Sequence, residues 1–112
     1  MHELGITQSL VEACCGAAGD AAATQVRRVT IEIGCLAGLL PDAVRFCYDV
    51  CAQGTPLEGS VLDIACVPGE GRCRDCGAVM VAQDLLSLCA CGSANVAFTG
   101  GDALRIKQME IE

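Results

Sequence analysis

The spacing of hydrophobic and polar positions changes along the chain, and each change predicts an element. Residues 4–18 predict a helix. Ile6, Leu10, Cys14 (with Ala13) and Ala17 recur at three- and four-residue spacing, while Gln8, Ser9 and Glu12 fall elsewhere. Gly19-Asp20 provides a stop. Residues 26–34 predict a strand, because Val29, Ile31 and Ile33 alternate with Arg28, Thr30 and Glu32, giving one buried and one wet face. Gly34 and Gly38 make the next connection pliable. Pro41 then suits the first turn of a helix, where its missing N–H costs nothing. Val44, Cys47, Tyr48 and Cys51 mark that helix's apolar stripe, and Gly54 ends it.

Residues 60–67 predict a second strand, with Leu62, Ile64 and Cys66 alternating against Asp63, and Pro68-Gly69 closes it. From 68 to 103 the chain changes to short, Gly-rich segments around four cysteines, where regular structure should be brief hairpins. Residues 103–111 predict a final strand. Leu104 and Ile106 alternate with Arg105 and Lys107, and then the phase slips at Met109 and Ile111, as a bulge or a move from one sheet to another would produce. The expected architecture is α+β: a small sheet packed with two helices, plus an inserted zinc-ribbon-like domain. Residues 1–67 and 104–112 form the first domain, and residues 68–103 form the insert.

Composition sharpens this plan. Hydrophobic residues make up 53% of the 112, but there is no Trp and only 3% is aromatic, so the core must be built from Ala, Val, Leu, Ile and Cys. Such a small core benefits from a metal crosslink. Fourteen acids against 7 bases give a formal charge of -7, which opposes binding to nucleic acid and suits a basic protein partner or a cationic cargo. The opening Met1-His2-Glu3-Leu4 predicts no secretory leader, and no run of apolar residues is long enough for a membrane span. Ten cysteines in such a chain are expected to be metal-bound or free thiols in a reducing cytoplasm, not a disulfide framework.

Four of those cysteines stand as Cys73-x-x-Cys76 and Cys89-x-Cys91. Each pair closes a short loop, and two facing loops supply the four sulfurs of a tetrahedral structural zinc site. The glycines after Cys76 and Cys91 suit loops that curl around a metal. The second pair has one intervening residue where a zinc ribbon usually has two, so Cys91 is the ligand whose geometry is in question. The bland alternative, four ordinary thiols in loops, lacks a packing reason in polar, Gly-rich segments. Cys14, Cys47, Cys51 and Cys66 fall on apolar faces and read as small core hydrophobes. A thiol-redox reading finds neither the strand-to-helix setting nor the neighbouring positive charge that activates a thiol. No Ser/His/acid set and no phosphate-binding loop is present, so nothing supports an enzyme.

His2 is the single histidine, beside the terminal amine. The amine, the His2 amide nitrogen and the imidazole can chelate one ion in fused rings, an arrangement that Ni(II) and Cu(II) accept and zinc does not favour. Methionine should remain at position 1, because His is too bulky a second residue for the usual trimming. Glu3 could add its amide or carboxylate. The alternative is a frayed terminal histidine without a role.

Met1-His2-Glu3-Leu4 joined to this cysteine quartet resembles the HypA/HybF family of hydrogenase maturation proteins. The likeness extends through Ile31-Glu32-Ile33-Gly34, Leu36, Gly38, Phe46, Gly54-Thr55, Leu62, Pro68 and Gly92-Ser93. It implies a nickel metallochaperone acting in maturation of the [NiFe]-hydrogenase large subunit and, in some organisms, urease. It also implies Ni(II) cargo at Met1 and His2, with Glu3 influencing the site. Structural Zn(II) would be held by Cys73, Cys76, Cys89 and Cys91. The last pair in that family usually has two intervening residues, and Cys35 departs from its common polar residue. The resemblance implies two partners, a nickel-handling GTPase and the hydrogenase large-subunit precursor. It leaves both monomer and homodimer open. The competing expectation is a zinc-ribbon protein-interaction adaptor without nickel cargo.

Overall fold

The computed structural model describes residues 2–112; for His2 it describes the backbone alone. In chain order the elements are α1 (His2–Asp20), β1 (Val26–Gly34), α2 (Pro41–Ala52), β2 (Val61–Val67), β3 (Gly69–Cys73), β4 (Val79–Ala82), β5 (Val96–Thr99) and β6 (Leu104–Ile111). The fold is α+β, with two three-stranded sheets ordered β2-β1-β6 and β4-β3-β5. The chain forms two compact units. The first takes α1 and the chain up to Ile31, then Leu39–Ala65 and Arg105–Glu112; the second takes Glu32–Gly38 and Cys66–Leu104. Among the described residues, no helix is long and apolar enough to cross a membrane.

In the first unit, Leu10, Val11, Cys14 and Ala18 of α1 are buried, as are Val26, Val29 and Ile31 of β1. Val44, Cys47, Tyr48 and Ala52 of α2, with Leu57 and Leu62, complete this core. The buried face of α1 differs from the expected stripe: Glu3 and Thr7 lie on it, while Ile6 is half-buried and Ala17 is exposed. Two polar residues can turn inward because both are bonded. The Thr7 hydroxyl donates to the Glu3 carbonyl oxygen at 2.6 Å, and the Leu40 N–H donates to Glu3 Oε2 at 3.4 Å. Each bond avoids the larger cost of a buried polar atom with no partner.

Pro41 occupies the first turn of α2 as expected, after Leu40 in extended conformation. The Tyr48 and Ser60 hydroxyls bond to each other, and the Arg45 guanidinium donates to the Leu62 carbonyl at 2.6 Å. Across the first sheet, Arg28 of β1 pairs with Asp63 of β2 and, at 3.8 Å, with Glu110 of β6. One arginine between two carboxylates matches the strand order, although partly exposed pairs of this kind each add little stability.

Two strands differ from expectation. β6 belongs to a single sheet and does not move between two. Only Leu104 and Met109 are half-buried along it, so the phase slip belongs to a strand that buries neither face continuously. Cys66 is exposed, because β2 buries only Leu62 fully and its last three residues face solvent. Cys66 is therefore no core hydrophobe, whereas Cys14 and Cys47 are buried.

In the second unit β3 is the central strand. It pairs antiparallel with β4, from Gly69↔Ala82 to Arg72↔Val79, and with β5, from Glu70↔Thr99 to Cys73↔Val96. Its core is small: Cys73, Cys89 and Val96, with Met80 and Phe98 packed against them. Three glycines permit backbone contact where the chain enters and leaves this unit. A Cβ on Gly34 would fall 2.0 Å from the Gly101 carbonyl oxygen, and one on Gly101 would fall 2.5 Å from the Gly69 nitrogen. One on Gly69 would fall 2.2 Å from Leu36 Cδ1. The close approach is closed by bonds from Leu36 N–H to the Gly101 carbonyl at 2.7 Å and from Gly34 N–H to the Ala103 carbonyl at 2.9 Å.

Candidate metal centre

Cys73 ends β3, Cys76 sits in the turn that follows, and Cys89 and Cys91 lie in the connection between β4 and β5. The first loop turns back through Gly77, whose N–H donates to the Cys73 carbonyl at 2.9 Å, while Cys73 N–H donates to the Ala78 carbonyl at 2.9 Å. The Cys76 N–H also points at Cys73 Sγ, at 3.4 Å. In the second loop, Gly92 N–H donates to the Cys89 carbonyl at 2.8 Å and Cys89 N–H to the Ser93 carbonyl at 3.0 Å. Gly92, at φ +89°, takes the left-handed conformation that lets the loop close with one residue between its cysteines.

The four sulfurs converge. All lie within 4.8 Å of one another, with Cys73 Sγ to Cys91 Sγ at 3.8 Å and Cys76 Sγ to Cys89 Sγ at 3.5 Å. A tetrahedron with metal–sulfur bonds of about 2.3 Å has edges of about 3.8 Å, so this donor set fits a tetrahedral thiolate metal site. Cys91 stands at such an edge despite the shortened pair. Cys73 and Cys89 are buried, whereas Cys76 and Cys91 are exposed, so the cluster has one protected side and one facing solvent.

The thiols also share protons unequally. The Cys76 N–H, the largest influence, lowers Cys73 to about 6, with further help from the Asp75 N–H against the opposing effect of burial. Cys76 accepts a bond from the Ala78 N–H that favours its thiolate. Its bonds to the Cys89 and Cys73 sulfurs outweigh this and push it up to about 12. Cys91 is likewise raised: a bond from the Ser93 N–H is outweighed by the neighbouring sulfurs. Neighbouring sulfurs thus favour a thiolate at Cys73 over Cys76, and a bound cation would displace the remaining protons.

Sequence reasoning missed a polar network outside the sulfurs. Asp75, between the cysteines of the first pair, accepts bonds from the Ser93 hydroxyl and, at 3.3 Å, from the Asn95 side-chain amide. Arg74 N–H donates to the Asn95 carbonyl at 2.9 Å, and its guanidinium to Asn95 Oδ1 at 3.1 Å. The available signal was small polar residues flanking both cysteine pairs.

At the other candidate site, Met1 and the His2 side chain lie outside the described residues. Glu3 is buried on α1, with Leu40 N–H among its partners. The helix begins at His2, and first-turn amides have no carbonyl four residues earlier to bond within a helix.

Comparison with known proteins bears on both ends of the chain. Residues 1–111 match the model of the HypA family, described as hydrogenase/urease nickel incorporation, metallochaperone. The chain is similar to the hydrogenase maturation factor HypA of Trichormus variabilis, 46% identical over 112 residues that cover 100% of this chain and 96% of the relative. Among solved structures it resembles the Ni metallochaperone HypA from Helicobacter pylori, with a TM-score of 0.67 and 24% identity over 97% of this chain and 96% of that one. Another HypA solution structure aligns at a TM-score of 0.68 and 25% identity, covering 100% and 97%. The family's described role is that of a metallochaperone and not of a catalyst. The converging thiols, the fold and the match along nearly the whole length agree: the chain belongs to the HypA family of hydrogenase/urease nickel incorporation metallochaperones.

Proposed function

We propose that this protein carries Ni(II) at its N-terminus and delivers it during maturation of the [NiFe]-hydrogenase large subunit, while structural Zn(II) holds its second unit. The Met1 amine, the His2 amide and imidazole, and the Glu3 amide would bind nickel in the nitrogen-rich geometry that Ni(II) accepts. The Glu3 carboxylate would act by fixing the first turn of α1, since it already bonds the Leu40 N–H. Zn(II), bound by Cys73, Cys76, Cys89 and Cys91, would supply a crosslink and no reactive position, because all four ligand places are taken by protein.

The observation that supports this reading most is the family match from residue 1 to 111, which includes both the Met1-His2-Glu3 start and the cysteine quartet. Partners on this reading are a nickel-handling GTPase and the large-subunit precursor, met in the cytoplasm. A terminal chelate suits a carrier, because cargo held at an open chain end can be passed on. Imidazoles protonate near pH about 6.5, so mild acid should weaken nickel binding.

The test is a nickel titration of tag-free, zinc-loaded protein beside His2→Ala. The expected result is one zinc per chain in both and a His2-dependent nickel in the first alone. Equal nickel affinity in both proteins removes the N-terminal site and leaves the zinc-held adaptor as the better reading.

A further inference from the structure

We propose that Asp75, clasped by Ser93 and Asn95, is a positioning residue that locks the shortened second cysteine pair onto the first. The proposal rests on the zinc reading above. Its basis is geometric. Cys89-x-Cys91 has one residue fewer than a ribbon pair usually has, so the second loop has less slack with which to aim two sulfurs at one centre. Something outside the sulfurs must fix its placement, and the Asp75 bonds span the two loops. The carboxylate leaves the first loop from between Cys73 and Cys76, and it accepts from Ser93 and Asn95 just beyond Cys91. Each bonded neighbour is fixed in turn. Ser93 Oγ accepts the Asn95 N–H at 3.0 Å, the Ser93 carbonyl accepts Cys89 N–H at 3.0 Å, and Arg74 reaches the Asn95 carbonyl. The chain of bonds therefore runs from the first pair to the backbone of Cys89 without passing through a metal.

Charge alone does not separate the readings at Asp75, because a carboxylate beside the site attracts the departing Zn(II) even as it repels the thiolates. Ser93→Ala does separate them: it breaks the bond and leaves the charge, so a mere nearby charge at Asp75 would keep its wild-type effect there. Asp75 itself is then read together with Ser93. As a clasp, its removal lets Cys91 wander and zinc leave sooner.

The experiment follows zinc transfer from the full-length protein to a chromogenic chelator, with Co(II)-loaded spectra as a second readout. Wild type is compared with Asp75→Ala, Ser93→Ala and Ser93→Thr. Loss of hydrogen bonds that orient metal ligands typically weakens a site by about tenfold or more, so Asp75→Ala and Ser93→Ala should each release zinc about tenfold faster. The double variant should be little worse than either, because both break one clasp. Ser93→Thr, which keeps the hydroxyl, should restore the wild-type rate. The cobalt bands of the two alanine variants should shift in the same way as tetrahedral geometry relaxes. Unchanged or slower release in Asp75→Ala or in Ser93→Ala overturns the clasp. If Asp75→Ala holds no zinc at all, the serine pair decides: equal rates for Ser93→Ala and Ser93→Thr overturn it. Wild type without zinc would instead overturn the metal reading itself.

Discussion

The two units solve the same problem with different materials. The first buries its apolar residues in the ordinary way, with Val26, Val29, Ile31, Val44, Tyr48 and Leu57 each almost wholly removed from water. The second leaves several of its large apolar residues outside. Val79, Val81, Leu85, Leu86 and Leu88 are all exposed, and two of the three buried residues in its sulfur-lined cluster are cysteines. One unit is thus built to stand on apolar burial. The other, with its smaller apolar cluster, should depend on its sulfurs to offset the entropy of ordering its loops.

Metal removal tests this contrast most severely. Structural zinc in small modules contributes on the order of 10–16 kcal/mol, so chelation, or Cys73→Ser with Cys89→Ser, should abolish exchange protection across β3, β4 and β5. Amides of the Val26–Ile31 segment should keep theirs, and their parallel loss would break the comparison. Reloading at neutral pH should release protons, measured by calorimetry in buffers of different ionisation enthalpy. In the unfolded metal-free unit the cysteines titrate near the ordinary thiol value of about 8.5, so at neutral pH most of them must lose a proton to bind as thiolates. Affinity should accordingly fall as the pH is lowered.

Next in size, Leu57→Ala should cost about 2–5 kcal/mol by leaving a cavity in the first unit. Denaturant unfolding would show the loss, while zinc content stays at wild-type level. Tyr48→Phe should cost about 1 kcal/mol through the bond to Ser60. Smallest of all, Leu86→Ser should change stability by less than about 0.5 kcal/mol, because Leu86 is 87% exposed. A large effect there would mean that the second unit draws on apolar packing after all.

How much was legible in the sequence follows the same division. Period-two alternation located β1 to the residue, and Pro41 located the start of α2. Both are local signals with little competition. The face of α1 was misread because Glu3 and Thr7 are polar, and partners seen in three dimensions, the Leu40 N–H and the Glu3 carbonyl among them, make them suitable for burial. Cys66 was misread because an alternating pattern marks a face without saying whether anything covers it. At the cysteine cluster, ligand types and spacing pointed to the four sulfurs. The bonds from Asp75 to Ser93 and Asn95 join residues 18 and 20 positions apart, which no periodicity records.

The meeting of Gly34, Gly69 and Gly101 has a consequence for how this chain can drift. Every residue other than glycine brings a Cβ, and at Gly34 that atom would overlap main-chain atoms of Gly101 and Asp102, which no rotamer change can move aside. Chemical similarity therefore gives no protection there: alanine is as foreign as tryptophan. At Gly101 the overlap coincides with φ +58°, so two separate objections stand against any replacement. A saturation library scored for folded protein should be emptied at Gly34 and Gly101 of all nineteen alternatives at once. Positions such as Leu86, which look weightier on the page, should accept nearly anything.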